Sequence, residues 1–323
     1  MRITRRHFLD GGLVALAMTA LPGSAASPFQ ALASRSAAAG ATPESVPLWP
    51  GPPPGGGGPQ GPCQLSARGS LTAVSQPALT VYRPSAPNGA AMLVAAGGGY
   101  RHIEMGKEAL PAVAWLAGLG ITAFVLSYRL PGEGWNAGRL APFQDAQRAL
   151  RLIRARCAAF DVDPHRVGVL GFSAGGHLLG IAATRPDWRS APARDRVDLQ
   201  AARSDLNLLI YPIVTLEKPY QHTSTCKTLL AGDTSARAAA EWSVQSHVRS
   251  TDAPFLLVQA ADDPISDPAN TALLQQACLQ HAVPVERYLF PTGGHGFGMG
   301  RLGGPTRAWP AMATRWMQSQ SFI

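Results

Sequence analysis

Cysteine is scarce in this chain: four in 323 residues, at Cys63, Cys157, Cys226 and Cys278. None stand in a C-x-x-C spacing or beside a histidine, which excludes a zinc ribbon and thioredoxin-type chemistry. Charge is also thin, at 15% of residues, and the basic excess of +8 is spread over single arginines such as Arg185, Arg189, Arg194, Arg196 and Arg203. With no basic block interleaved with aromatics, the excess reads as a solvated surface, and no nucleic-acid partner is expected. The apolar run Gly11–Leu21 is too short for a stable membrane anchor. A hydrophobic share of 46% supplies ample core and excludes a disordered chain.

That short run has a specific context. Arg5 and Arg6 precede it, Phe8 and Leu9 lead into it, and the small residues of "PGSAAS" follow it. A charged start, a short apolar centre and a small-residue site make a secretory leader over 1–26. The paired arginines resemble a twin-arginine signal. They predict export by the twin-arginine machinery of a bacterium, no membrane anchor after leader cleavage, and a periplasmic or secreted location. An exported protein can form disulfides. Cys157 and Cys278, however, sit in helical-looking apolar segments, so buried free thiols are an equal expectation.

Residues 27–61 are rich in Ala, Ser, Gly and Pro and end in "PLWPGPPPGGGGPQGP". They read as a linker or surface arm, with a catalytic domain over 62–323. From there apolar runs alternate with helical periodicity. Strands are expected at 79–84, 90–96, 121–128, 165–172, 205–212, 253–262 and 284–290, with helices at 107–120, 141–160, 269–282 and 306–320. In 141–160 the stripe Phe143, Ala146, Ala149, Leu150, Ile153 and Cys157 marks the packed face. This alternation predicts an α/β fold, a mostly parallel sheet with helices on both faces, little sequence for a lid, and a site at the carboxyl ends of strands.

The reactive residue types fall there. "RVGVLGFSAGGHL" is a strand running through G-x-S-x-G into a helix, the setting in which a tight turn projects Ser173 as a nucleophile. A serine hydroxyl needs a base, and the base an orienting acid. Asp262 and Asp263 end one later strand; His295, flanked by glycines, follows the next. His177 reads as structural. His102, His165, His222, His247 and His281 lack a matching acid, and His7 lies in the leader. A calcium loop at Asp262, Asp263 and Asp267 lacks the alternating ligand spacing. A glycoside hydrolase would need two opposed carboxylates. The triplet Gly97-Gly98-Gly99 follows a strand without the spacing of a phosphate loop. It suits backbone N–H donors to an oxyanion, Gly98 and Gly99 with Ala174, while Gly97 shapes the turn. Tyr100, Arg101, Trp135 and Phe297 are expected on loops rimming the pocket.

Together "GGGY", "AFVLSYRLP", "DAQRALRLIRARC", "DPHRVGVLGFSAGGHL", "LLIYP", "ADDP" and "GGHGFG" resemble the acetyl-xylan-esterase-like, feruloyl-esterase-like branch of the α/β-hydrolases, whose members often carry the label xylanase. The resemblance spans about 46–318. It implies a Ser173–His295–Asp263 triad, since the offset from Asp263 through Pro264, Ile265 and Ser266 fits the branch. It further implies no metal or cofactor, and a carbohydrate-ester substrate such as an acetyl or feruloyl sugar. A generalist small-ester hydrolase or peptidase on the same triad, and a non-catalytic carbohydrate-binding protein, are the alternatives. Ala96 stands where the branch usually has proline, and "DPISDPANT" departs from its usual acid loop.

Overall fold

The computed structural model describes residues 43–323. The leader expected over 1–26 and the stretch 27–42 lie outside the described residues.

The frame is an eight-stranded sheet in the order β1 (Glu44–Pro47), β4 (Ala78–Tyr82), β7 (Thr122–Ser127), β5 (Ala91–Ala95), β8 (Val167–Phe172), β9 (Leu206–Ile210), β10 (Phe255–Ala260) and β11 (Val285–Phe290). Pairing is parallel from β7 to β11, and β4 runs antiparallel to both its neighbours. β5, β7, β8, β9 and β10 are buried at every residue. Strands such as "VGVLGF" and "FLLVQA" therefore lack the polar alternation of a half-solvated sheet, because helices cover both faces. Among these helices are Leu110–Gly118, Ala141–Ala155, Ala174–Thr184, Ala269–Gln280 and Trp309–Ser319. Pro310 sits in the first turn of the last, where its missing N–H costs nothing.

The order places the site. From β5 the chain crosses to β7 on one side and then returns to β8 on the other, so the connections diverge between β5 and β8. A crevice opens at the carboxyl ends of two such strands. The glycine triplet leaves β5 there, and Ser173 leaves β8.

Two regions depart from the sequence expectation. A small sheet pairs β3 (Ser70–Thr72) with β2 (Gln64–Leu65) and with β6 (Ile103–Glu104), and two short helices, Ser224–Leu230 and Ala236–Glu241, lie between β9 and β10. The domain also starts upstream of residue 62. β1 pairs with β4, and residues 48–54 cover the helix Ala141–Ala155, so the described part of the expected arm is packed onto the sheet and helix. The reason is polar. That helix buries Asp145 and Arg148 as well as its apolar stripe, and buried charges need partners. Arg148 Nε donates to Leu48 O at 2.7 Å and its guanidinium stacks on Trp49; Trp49 Nε1 donates to Asp145 at 2.9 Å. Arg129, paired with Asp145, donates to Pro54 O at 2.9 Å. A segment poor in side chains serves the core through its carbonyl oxygens. All four cysteines are free thiols; Cys226 and Cys278 are buried, Cys63 and Cys157 half-buried.

Candidate active site

β8 ends at Phe172, and Ser173 turns the chain with φ 50° and ψ −117° before the helix Ala174–Thr184 begins. A non-glycine residue at such angles costs about 1–3 kcal/mol and persists only where its surroundings hold it. Here Ser173 N donates to Ile210 O of β9 at 3.0 Å, and Ser173 O accepts from His177 N at 3.0 Å and Ile213 N at 3.2 Å. The glycines of the motif are dictated by contact. A Cβ at Gly175 would lie 2.2 Å from Ala95 O, and one at Gly171 would lie 2.6 Å from Gly175 O. The start of the helix thereby lies close against both β5 and β8 behind the serine.

Ser173 Oγ lies 2.8 Å from Nε2 of His295. The other nitrogen, Nδ1, lies 2.8 Å from Oδ2 and 3.1 Å from Oδ1 of Asp263. With a carboxylate at Nδ1, that nitrogen carries the hydrogen, and Nε2 is left to accept the serine proton. Asp263 is held in turn by Gln259 Nε2 at 2.9 Å and by the amides of Ile265 and Ser266 at 2.8 and 2.9 Å. Its side chain is fully buried, while that of His295 keeps 18% exposure toward the crevice. Asp262 does not face His295; its Oδ1 accepts the Gly294 amide at 2.7 Å and steadies the histidine loop. The offset implied by the family resemblance thus selected the residue that contacts the imidazole.

The glycine triplet passes beside the serine. A Cβ on Gly97 would lie 2.8 Å from Ser173 Cβ. Gly98 and Gly99 take φ of 121° and 63°, the left-handed side that glycine tolerates. Among the described residues their amides donate to no protein group. Ala174, as the first residue of its helix, likewise has no intrahelical acceptor for its N–H. The three candidate donors thus have no protein acceptor among the described residues.

The expected rim is corrected at Tyr100 and Trp135. Tyr100 is fully buried, with φ 60°, and its hydroxyl bonds Nδ1 of His177 at 2.9 Å. It anchors the glycine loop from beneath, because a strained backbone needs a fixed side chain. Trp135 is buried under the Gly55–Gly58 stretch, with the Arg129 guanidinium over its ring at 5.2 Å. Phe297 packs edge-on against Tyr211, ring centres 4.5 Å apart. Only Arg101 of the four is exposed. His177 is structural, as expected: Nε2 bonds Trp242 O at 2.7 Å, and burial lowers its pKa to about 4. His102 does have an acid: Nε2 lies 2.6 Å from Glu104, since alternation along the extended chain puts residues 102 and 104 on one side.

Two residues near the site were not anticipated. Glu108 is buried and accepts the Gly97 amide at 2.6 Å and the Tyr211 hydroxyl at 2.9 Å. Tyr211 lies edge-on to His295 with centres 5.1 Å apart. A lone acid inside the apolar segment "KEALPAVAWL" was the available signal for Glu108. Among the described residues no cluster of three or more His, Cys, Asp or Glu could hold a metal ion. No helix there is long and apolar enough to cross a membrane.

The chain is 27% identical over 226 residues to the acetylxylan esterase of Xylanibacter ruminicola, across 69% of this chain and 44% of that protein. It is 29% identical over 205 residues to endo-1,4-beta-xylanase B of Butyrivibrio fibrisolvens, across 64% of this chain and 32% of that protein. The chain therefore spans less than half the length of these curated relatives. Among solved structures, the acetyl ester-xyloside bifunctional hydrolase of Caldicellulosiruptor lactoaceticus superposes with a TM-score of 0.72 at 29% identity, covering 87% of this chain and 97% of that one. With its α/β-hydrolase fold and a match over residues 79–278, the chain belongs to the BD-FAE family.

Proposed function

We propose that this chain is an exported serine esterase that removes acetyl groups from plant-polysaccharide sugars of the xylan type. The observation that carries the reading is the run of short contacts from Ser173 Oγ through the His295 ring to Asp263, with free amides beside it. Ser173 Oγ attacks the ester carbonyl as His295 Nε2 takes its proton. The carbonyl oxygen becomes an oxyanion facing the amides of Gly98, Gly99 and Ala174, donors whose loss one at a time costs about 10²–10³ in rate. Collapse expels the sugar hydroxyl, which takes the proton from His295, and leaves an acyl-serine. Water then attacks that acyl group, gives its proton to His295, and releases the carboxylic acid as the proton returns to Ser173. The carbohydrate-ester substrate is supported by the acetylxylan esterase and the acetyl ester-xyloside hydrolase among its relatives.

Export rests on the paired Arg5 and Arg6 before Gly11–Leu21. Lysine at both arginines is expected to retain the precursor in the cytoplasm, as seen by fractionation.

The test of activity compares p-nitrophenyl acetate, acetylated xylan and methyl ferulate as substrates, with Ser173→Ala as control. Acetyl release from xylan, abolished in the variant, is the expected result. No turnover of any ester by the wild type sinks the esterase reading, and unchanged turnover in Ser173→Ala sinks the site. Faster cleavage of methyl ferulate than of acetylated xylan moves the substrate from an acetyl to a feruloyl sugar.

A further inference from the structure

The two loops that flank Ser173 come from distant parts of the chain: the glycine loop from the end of β5, and the histidine loop from the end of β11. One buried side chain touches the first directly and reaches the second through Tyr211. Glu108, 3% exposed, accepts the Gly97 N–H on Oε2 at 2.6 Å and the Tyr211 O–H on Oε1 at 2.9 Å. The Tyr211 hydroxyl oxygen accepts in turn from Gly298 N–H at 3.0 Å, three residues beyond His295. The Tyr211 ring lies edge-on to both His295 and Phe297. Trp309 Nε1 fixes the same loop by donating to Gly298 O at 2.9 Å. Every polar atom along this line has a partner, which is what allows a network to be rigid in a dry interior.

We propose that Glu108, acting through Tyr211, is a positioning residue that ties the oxyanion amides to the general base, so that the two loops hold one fixed separation around Ser173. The inference rests on the esterase function proposed above.

Three observations argue that Glu108 is more than ordinary packing. Its acceptor choice is specific. By taking the Gly97 amide, it settles which face of the triplet turns away from the crevice and leaves the next two amides unpaired. The backbone it holds is one that would otherwise relax: Gly98, Gly99 and Tyr100 all have positive φ, and Tyr211 has φ 38°. A carboxylate in this place is also costly. Burial raises the pKa of Glu108, opposed by the bonds from Gly97 and Tyr211 and by the nearby His295. A hydrophobic side chain would fill the volume without that penalty, but it would offer no acceptor to Gly97 or to Tyr211. A glutamine fits the shape and keeps a single oxygen. Turned to Gly97, it presents N–H to a tyrosine oxygen that already accepts from Gly298.

The test uses the full chain with Glu108→Gln, Glu108→Ala, Tyr211→Phe and the Glu108→Gln/Tyr211→Phe pair. The readouts are kcat and KM on p-nitrophenyl acetate, the rate at which a fluorophosphonate labels Ser173, and the melting temperature. Positioning predicts a loss seated in kcat, about tenfold for Glu108→Gln and about 10²-fold for Glu108→Ala, with KM within about twofold, since misaligned donors act on the transition state. Labelling should slow in parallel. The double variant should lose less than the product of the single losses, because both substitutions cut the same link. The near-isosteric Glu108→Gln and Tyr211→Phe carry the test if Glu108→Ala fails to fold. Variants that melt earlier but keep wild-type kcat and labelling rate, or that change KM alone, or whose losses multiply, overturn the proposal. An active wild type separates these outcomes from failure of the esterase function itself, which overturns both.

Discussion

Asp263 and His295 are joined by a 2.8 Å contact from Oδ2 to Nδ1, while the adjacent Asp262 takes only the Gly294 amide. Two neighbouring acids thus hold two different parts of one loop, the ring and the backbone. Asp263→Asn keeps the shape but presents a mixed donor and acceptor to Nδ1, so the ring can adopt the tautomer that cannot take the serine proton. A loss of about 10³–10⁴ in kcat is expected. Asp262→Asn retains a side-chain oxygen for Gly294 and should lose less than about tenfold. Steady-state assay of both variants checks the ranking, and equal losses would refute the assignment.

Gly97 offers a steric test of the crevice. Gly97→Ala places a methyl 2.8 Å from Ser173 Cβ and 2.9 Å from Phe172 O, both parts of the rigid elbow. The glycine loop must retreat and carry its amides with it. A fall of about 10²-fold in kcat is expected, of the size seen when an oxyanion donor is lost. Gly118→Ala is the control, since a methyl there meets nothing within 4 Å. It should leave activity intact and raise stability by up to about 1 kcal/mol.

The Arg129–Asp145 pair has no exposed side-chain surface at either partner. Removing the acid leaves a buried cation held only by neutral oxygens. Asp145→Ala should therefore destabilise by about 3–5 kcal/mol. Replacing both partners by methionine and leucine should cost less, because no charge is then stranded. Urea denaturation of the single and double variants measures the difference.

His177 sets a direction for stability against pH. Burial depresses its folded pKa to about 4, whereas the unfolded chain takes up a proton near the ordinary histidine value of about 6.5. Its contribution is therefore complete above about 6.5 and is lost as pH falls toward about 4, on the order of 3 kcal/mol in all. Unfolding free energies of wild type and His177→Gln between pH 7.5 and 4 should converge by that amount. Parallel curves would contradict it.

The sheet was legible because its central strands are apolar without interruption, and the elbow because a strand, a glycine-bounded serine and a helix follow in order. The choice between Asp262 and Asp263 needed the family offset, since both follow β10 and only the path of the loop separates them. Tyr100 and Trp135 were misplaced for one shared reason. An aromatic after a glycine-rich turn has the same local sequence whether it lines a crevice or braces the turn from within. Strained backbone decides for bracing at Tyr100, whose φ of 60° is held by the His177 contact. Glu108 and Tyr211 meet across 103 residues, and no local periodicity carries such a pairing.

The Pro- and Gly-rich stretch at 48–54 has a consequence for how its sequence can drift. Its bonds to Arg148 and Arg129 are made by the carbonyls of Leu48 and Pro54, groups that every amino acid possesses. Leu48 and Pro54 are also buried by side chain, and Trp49 binds Asp145, but at the exposed or half-buried positions 50–53 exchanging one side chain for another should pass almost unnoticed. Removing or adding a single residue would instead slide the carbonyls out of register with the guanidinium groups they serve. Positions 50–53 should be permissive to substitution yet intolerant of changes in length, the reverse of what is normal for a loop.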